Sequence, residues 1–217
     1  MYHYIEDKEF LKNMRRICSN IINQLVQAIN RDNLMKVNFQ LVGSGARHLE
    51  TQNSNNPVDL DYNVNILDIS FDINDCKRIK EYIRKTFNKI LKSNNWGDCN
   101  DSTSVLSTEY RYFTSGNNTR FKIDLGIVVE DNERWHRLIH QKTGIIDNDS
   151  WIWNESPNSK NLDKKVKFIK NNHYWDDVIV TYLDKKNIYL TRNDHNHPSF
   201  NCYIETINEV YKKYGGK

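Results

Sequence analysis

The sequence predicts an α+β fold, in which a mixed or antiparallel sheet is flanked by helices and followed by a small, mainly helical C-terminal part. Two helices are predicted where apolar residues recur at three- and four-residue spacing, over residues 6–31 and 75–93. Strands are predicted where short runs are apolar or alternate with polar residues, over residues 37–42, 58–67, 103–113 and 120–130.

The pattern changes near residue 132. The spacing of Trp135, Leu138 and Ile139 predicts a helix, and residues 145–157 a loop or short turn. Further helices are expected over residues 162–171 and from Pro198 onward, since proline is favourable in a first helical turn, while residues 175–190 contain an apolar stretch. We therefore expect residues 1–131 to form one unit, and residues 132–217 a mainly helical region packed on it.

Composition limits the class of protein. The chain has 217 residues, 38% of them hydrophobic, and a net charge of +3, as in a soluble globular protein that can bind phosphate groups. The start of the sequence has no apolar segment typical of a signal peptide, and we expect no membrane association. The four cysteines are scattered without a CxxC pair, which favours reduced thiols and a cytoplasmic location.

Two acids lie on one face of the strand predicted over residues 58–67. Asp59 and Asp61 alternate with Val58, Leu60 and Tyr62, which places their backbones about 6.6 Å apart at the usual rise of a strand. Two carboxylates at this spacing can converge on a pair of metal ions, and they repel each other without a cation. A solvated strand face explains the pattern equally well.

A third acid, Asp124, interrupts the apolar run of residues 120–130. It needs a partner, because burying a lone charge is costly. Gly126, on the same face, leaves room for another group to approach. Asp124 is therefore a candidate ligand or base.

The third feature is a Gly43-Ser44-Gly45 turn after the strand predicted over residues 37–42, with one or two helical turns expected from Ala46. Such a junction can direct backbone N–H groups at a phosphate. No Gly-Lys-Ser/Thr follows, and His48 stands where a dinucleotide fingerprint has its third glycine, so both of those motifs are excluded. A structural turn remains the alternative.

Together, Gly43-Ser44, Asp59-Leu60-Asp61 and Asp124 resemble the nucleotidyltransferase superfamily to which DNA polymerase beta, kanamycin nucleotidyltransferase and the cGAS-like enzymes belong. The resemblance covers residues 37 to about 130. The long helix before the Gly-Ser strand is similar to that of the oligoadenylate synthase and cGAS-like branch.

The resemblance implies an enzyme that transfers a nucleoside monophosphate from a nucleoside triphosphate to a hydroxyl and releases pyrophosphate. Residues 1–131 would be its catalytic core. It implies that Asp59, Asp61 and Asp124 are catalytic and bind Mg²⁺ or Mn²⁺, and that Gly43, Ser44 and Arg47 bind substrate. ATP is the expected donor; the acceptor stays open between a small molecule, a protein, an RNA end and a second nucleotide.

Two other functions remain possible from the sequence. One is a non-catalytic nucleotide- or RNA-binding module of the same fold. The other is a ribonuclease, because Arg192 and His197 match the Arg-polar-x-x-x-His pattern of HEPN ribonucleases, although a polar loop is the preferred interpretation of this segment. A zinc site at His195, His197 and Cys202 lacks a fourth ligand.

Overall fold

A computed structural model describes residues 1–156, 161–194 and 199–215. Its helices are α1 (Lys8–Arg31), α2 (Cys76–Ser93), α3 (Leu162–Asn171), α4 (Trp175–Thr191) and α5 (Ser199–Tyr214). Its strands are β1 (Tyr2–Tyr4), β2 (Met35–Leu41), β3 (Thr51–Asn53), β4 (Val58–Ile69), β5 (Asn100–Asp101), β6 (Leu106–Ser107), β7 (Phe121–Asp131), β8 (Arg134–Gln141) and β9 (Ser150–Glu155). The predicted α+β class is confirmed.

Both predicted long helices are present, and each begins at an aspartate cap. The Asp7 carboxylate accepts from the backbone N–H of Phe10 at 2.9 Å, and that of Asp75 accepts from Arg78 at 3.2 Å. The apolar stripes of α1 and α2 are buried in one hydrophobic cluster with the sheet. Both helices therefore pack against the sheet through these apolar stripes.

The central sheet is mixed, and β4 lies within it. β4 pairs antiparallel with β2 and parallel with β7, and β7 also pairs antiparallel with β6 and β8. The parallel register aligns Asp61 with Asp124, and Asp59 with Lys122. Acids that are 63 residues apart in sequence thus become direct neighbours across one pair of strands.

The predicted helix around Trp135, Leu138 and Ile139 is wrong, because these residues belong to β8. Asn132 and Glu133 have φ angles of 48° and 62°, which make a two-residue hairpin turn between β7 and β8. The expected loop after residue 145 contains a further strand, β9, which pairs with β8. The sheet therefore continues past residue 131 to Glu155, and the mainly helical character begins only at α3.

The strand predicted over residues 103–113 is much shorter than expected. Only β6 joins the sheet there, and a single bridge links Arg111 to Phe121.

Helices α3, α4 and α5 bury a second hydrophobic cluster, which includes Leu49 and packs against Tyr4. The division of the chain into two domains remains a prediction.

The four cysteines are buried and unpaired. Within the described residues, none of the helices combines the length and the apolar character that crossing a membrane requires.

Candidate active site

The three predicted acids meet at one end of the β4–β7 strand pair. Asp61 lies directly opposite Asp124 in the parallel register, and Asp59 is two residues from Asp61 on the same face. The side chain of Asp59 is 49% exposed, and that of Asp124 only 14%. The structure therefore brings together all three residues that the sequence predicted to act as a group.

Asp124 has the partners that its apolar strand requires. Lys122 Nζ donates to both of its carboxylate oxygens, at 3.0 and 2.9 Å, and also lies 3.8 Å from Asp59 Oδ1. Ser107 Oγ donates to Asp124 Oδ1 at 2.6 Å. The sequence showed that an acid here needs a partner, but it did not identify Lys122, which precedes it by two residues on the same face.

Asp61 is the most crowded of the acids. Burial, followed by the negative charges of Asp124 and Asp59, raises its pKa to about 7, against the opposing effect of Arg137 and Lys122. Burial also raises the pKa of Asp59 above its usual range. Both shifts follow chiefly from burial, which disfavours the charged forms of these carboxyl groups.

Gly43 allows the Gly-Ser turn to pack directly against Asp61. Its φ of +65° suits glycine, and a Cβ at this position would contact the Asp61 carboxylate and lie 3.3 Å from Asp61 Cβ. Within the described residues, the backbone N–H groups of Gly43 and Ser44 donate to no protein acceptor. Since neither donor has a partner among the described residues, both could donate to a ligand above the acids.

The helical turns expected after this glycine turn are a single 3₁₀ turn, Gly45–Arg47. A helix dipole is therefore not available at this position, and any phosphate binding depends on the local N–H groups and on nearby cations. The segment that follows the turn is fixed to α1, because Arg15 forms an ion pair with Glu50, whose side chain is buried.

Arg47, a predicted substrate-binding residue, is held against the cleft wall. Its guanidinium donates to the carbonyl oxygen of Gly43 and lies 4.1 Å from the ring centroid of Tyr203. It lines the cleft together with Gly43 and Ser44.

Arg137 was not singled out from the sequence, because β8 was predicted as a helix. It comes from the strand beside β7, and its Nη2 donates to Asn63 Oδ1 at 3.0 Å. A Cβ at Gly126 would lie 2.7 Å from Arg137 Nη1, so the glycine noted in the sequence makes room for this guanidinium. Burial lowers the pKa of Arg137, and the Asp61 charge opposes that effect.

Lys186 of α4 was also missed, because only the three-dimensional fold places it near the acids. Its Nζ donates to Thr51 Oγ1 at 2.7 Å and lies 4.0 Å from the ring centroid of Tyr2. Burial lowers its pKa to about 8, while the charges of Asp61 and Asp59 act in the opposite direction. A second cation thus faces the three-acid group from the helical part of the chain.

These groups line one cleft of about 1530 Å³ between the sheet and helices α4 and α5. The volume exceeds that of an ordinary small-ligand pocket. Its walls carry the three acids, the Gly-Ser turn and both missed cations, as well as aromatic side chains from four different parts of the chain: Tyr2, Tyr110, Trp135 and Phe200.

The donor set fits a divalent metal ion. Carboxylate oxygens are the ligands that Mg²⁺ prefers, and a cation beside Asp61 would stabilise the charged form that burial and the neighbouring acids disfavour. Within the described residues, no three acidic, histidine or cysteine side chains are already gathered around one point that could hold a metal ion. The Lys122 ammonium contacts Asp124, one of the carboxylates that would bind the metal ion.

The ribonuclease and zinc interpretations depend on residues that are not described. Arg192 follows the end of α4, whereas His195 and His197 lie outside the described residues. The third proposed zinc ligand, Cys202, is buried in α5.

No protein-family model and no curated protein matches the sequence, whereas solved structures do match the fold. The structure of CdnC from E. coli MS115-1 with ATP matches with a TM-score of 0.58 and 14% identity, over 92% of this chain and 60% of that one. The CdnC:HORMA-deltaN complex of the same organism matches with a TM-score of 0.57 and 14% identity, over 93% and 60%.

At this identity the likeness shows the fold. The chain has the fold of CdnC, so the resemblance inferred from the sequence is confirmed at the level of the fold. The chain spans about 60% of the length of the CdnC chains that it matches.

Proposed function

We propose that the chain is a metal-dependent nucleotidyltransferase, which moves a nucleoside monophosphate from a nucleoside triphosphate to a hydroxyl and releases pyrophosphate. One observation carries the proposal: Asp59, Asp61 and Asp124 meet on adjacent parallel strands, beneath the Gly43-Ser44 turn. The shared fold with CdnC supports it.

Asp59, Asp61 and Asp124 would hold Mg²⁺ or Mn²⁺. Bound there, the divalent ions supply charge stabilisation for an in-line displacement at phosphorus. Asp124 would also orient the acceptor hydroxyl or take its proton, once its oxygens are no longer occupied by Lys122. Ser107, which donates to Asp124 Oδ1, would fix the direction of that carboxylate.

The donor phosphates would lie between the Gly-Ser turn and α4. The N–H groups of Gly43 and Ser44, which have no partner in the described part of the chain, would donate to phosphate oxygens, and the Lys186 ammonium would neutralise phosphate charge. Arg47 would shape this end of the cleft through its contact with Tyr203. ATP is the proposed donor, and CdnC, whose fold is shared, has been solved with ATP.

The acceptor site is proposed at the β8 side of the cleft, which Trp135 and Arg137 line. Aromatic rings and a guanidinium suit a planar or phosphate-bearing acceptor. Among the acceptors left open by the sequence, a second nucleotide fits this wall best. The four unpaired cysteines suit a reducing compartment, so we propose a cytoplasmic protein.

The test is pyrophosphate release from each of the four nucleoside triphosphates, with Mg²⁺, with Mn²⁺ and with EDTA. We expect release with at least one nucleotide, only with metal, and none from Asp59→Ala. Asp68→Asn is the matched control, because Asp68 is an exposed acid on the same strand β4.

Two outcomes would replace the proposal. Nucleotide binding without turnover, in wild type and control alike, would favour a non-catalytic binding module. Metal-independent cleavage of RNA that is lost in Arg192→Ala would favour a ribonuclease.

A further inference from the structure

Lys122 holds the place of a cation among the three acids. Its Nζ contacts both oxygens of Asp124 and lies 3.8 Å from Asp59, so it lies between two of the residues proposed to bind metal. The side chain is 17% exposed, and the ammonium also lies 6.0 Å from the Tyr110 ring centroid. It is therefore an enclosed contact and not a surface ion pair.

The strand register fixes this contact. β7 places Lys122 directly opposite Asp59, and two residues from Asp124 on the same face. The ammonium consequently meets one acid across the strands and the other along its own strand. A lysine at any adjacent position of β7 would point to the opposite face of the sheet.

Lys122 does not interact equally with the three acids. It binds Asp124 at hydrogen-bond distance and Asp59 more distantly, whereas within the described residues Asp61 forms no ion pair. A single ammonium cannot neutralise three carboxylates. The carboxylate most fully engaged by protein is thus the one proposed to orient the acceptor.

We infer that Lys122 is an internal counter-ion of the metal site, which holds Asp124 while no divalent cation is bound and releases it when one binds. This inference rests on the proposed function. Metal bound through Asp124 must compete with a charge-assisted contact that the protein itself supplies. Lys122 therefore stabilises the metal-free protein and weakens its affinity for metal.

The first test measures Mn²⁺ binding to the whole chain by electron paramagnetic resonance, without nucleotide. Lys122→Met should bind Mn²⁺ about tenfold more tightly than wild type or better, because a contact to a charged group is removed. Lys122→Arg, which retains the charge, should stay close to wild type. Lys85→Met is the matched control, since Lys85 is an exposed lysine on α2.

The second test compares thermal unfolding in EDTA and in Mn²⁺. Lys122→Met should melt below wild type in EDTA, because Asp124 and Asp59 lose the ammonium that contacts them, and Mn²⁺ should restore much of the difference. Equal melting temperatures in EDTA, or an unchanged Mn²⁺ affinity, would overturn the inference.

A third test uses the wild-type protein, so it does not depend on a variant that folds. Lysine methylation mapped by mass spectrometry should find Lys122 protected in EDTA and more reactive with Mn²⁺. If Mn²⁺ leaves the protection of Lys122 from methylation unchanged, Lys122 does not leave Asp124 when metal binds, and the inference is wrong.

The inference and the proposed function fail in different ways. Metal-dependent pyrophosphate release together with an unchanged Mn²⁺ affinity in Lys122→Met would remove only the inference. Wild-type protein that binds no Mn²⁺, and transfers no nucleotide, would remove both.

Discussion

Two clusters of acids in this molecule differ in how their charge is balanced. The cleft cluster comprises Asp59, Asp61, Asp124 and Lys122, and its one ammonium contacts two of the three carboxylates, those of Asp59 and Asp124. The buried cluster comprises Lys80, Asp101, His140 and Asp149. There, Lys80 Nζ lies 2.6 Å from Asp101, while the two ring nitrogens of His140 lie 2.8 Å from Asp101 and 3.0 Å from Asp149.

The carboxylates of the buried cluster have polar partners within the protein. The ring of His140 bridges Asp101 and Asp149, and the Lys80 ammonium pairs with Asp101. The backbone N–H of Thr143, and then His140, hold the pKa of Asp149 below its usual range. In the cleft cluster, by contrast, burial and neighbouring acids raise the pKa of Asp61 to about 7.

The difference separates structural from functional charge. The buried cluster ties β5 and the segment before β9 to β8, and the Trp151 ring stacks on His140 with centroids 4.2 Å apart. It needs no ligand, because its charges are paired within the protein. In the cleft cluster, Asp61 has no ion pair among the described residues, and it lies on the wall of a large cleft, which is the arrangement expected of a site completed by a cation.

The largest expected effect is at Asp61. Asp61→Asn should lower metal-dependent pyrophosphate release by about a thousandfold or more, since metal binding contributes several kcal/mol to such reactions. In EDTA the same change should raise the free energy of unfolding by about 1 kcal/mol, because it removes repulsion between acids.

Turnover is measured by pyrophosphate release, and stability by urea unfolding. An Asp61→Asn protein that keeps full turnover would show that the cleft cluster is not the active site.

The opposite result is expected in the buried cluster. Lys80→Met removes an ammonium that pairs with Asp101 and donates to the Ser102 carbonyl oxygen at 2.8 Å. Breaking a buried ion pair should lower the free energy of unfolding by about 3 kcal/mol.

Specific activity of the folded Lys80→Met fraction should stay near that of wild type, because Lys80 does not line the cleft. Calorimetry and the pyrophosphate assay at low temperature separate the two effects. If Lys80→Met loses activity without losing stability, the buried cluster is not purely structural, and the proposed difference between the two clusters is wrong.

A smaller, pH-dependent effect is expected at Lys186. The pKa of Lys186 is about 8, so its side chain is positively charged below pH 8 and loses that charge as the pH rises through 8. ATP affinity should therefore weaken between pH 7 and pH 9, by up to about tenfold, since each unit above the pKa lowers the charged fraction tenfold.

Lys186→Arg should remove this pH dependence, because a guanidinium stays charged, and Lys186→Gln should bind weakly at both pH values. Calorimetric titration with ATP measures each case. The same slope in all three proteins would show that Lys186 does not face the phosphates.

Local patterns in the sequence predicted part of the cleft cluster. Alternation along β4 placed Asp59 and Asp61 on one face, and the apolar surroundings of Asp124 showed that it needed a partner. The partner itself depends on register: Lys122 meets Asp59 only because β4 and β7 pair in parallel at that offset. A single sequence carries no record of such an alignment.

The sequence did not reveal two cations of the cleft, Arg137 and Lys186, for physical reasons. Arg137 was hidden because Trp135, Leu138 and Ile139 repeat at helical spacing, whereas the turn at Asn132 and Glu133 forces a strand. Lys186 follows Asp61 by 125 residues and Asp124 by 62 residues in the sequence, and it comes near them only through the packing of α4. Long-range packing of this kind overrides the local pattern.

The most direct measurement of the central claim follows the two ends of the ATP phosphate chain separately. Wild-type protein is incubated with Mg²⁺ and with ATP labelled at either the α- or the γ-phosphate. Nucleotidyl transfer predicts that the α-label moves into a new product, while the γ-label appears in pyrophosphate. Release of the γ-label as inorganic phosphate, with the α-label left in ADP, would contradict the account.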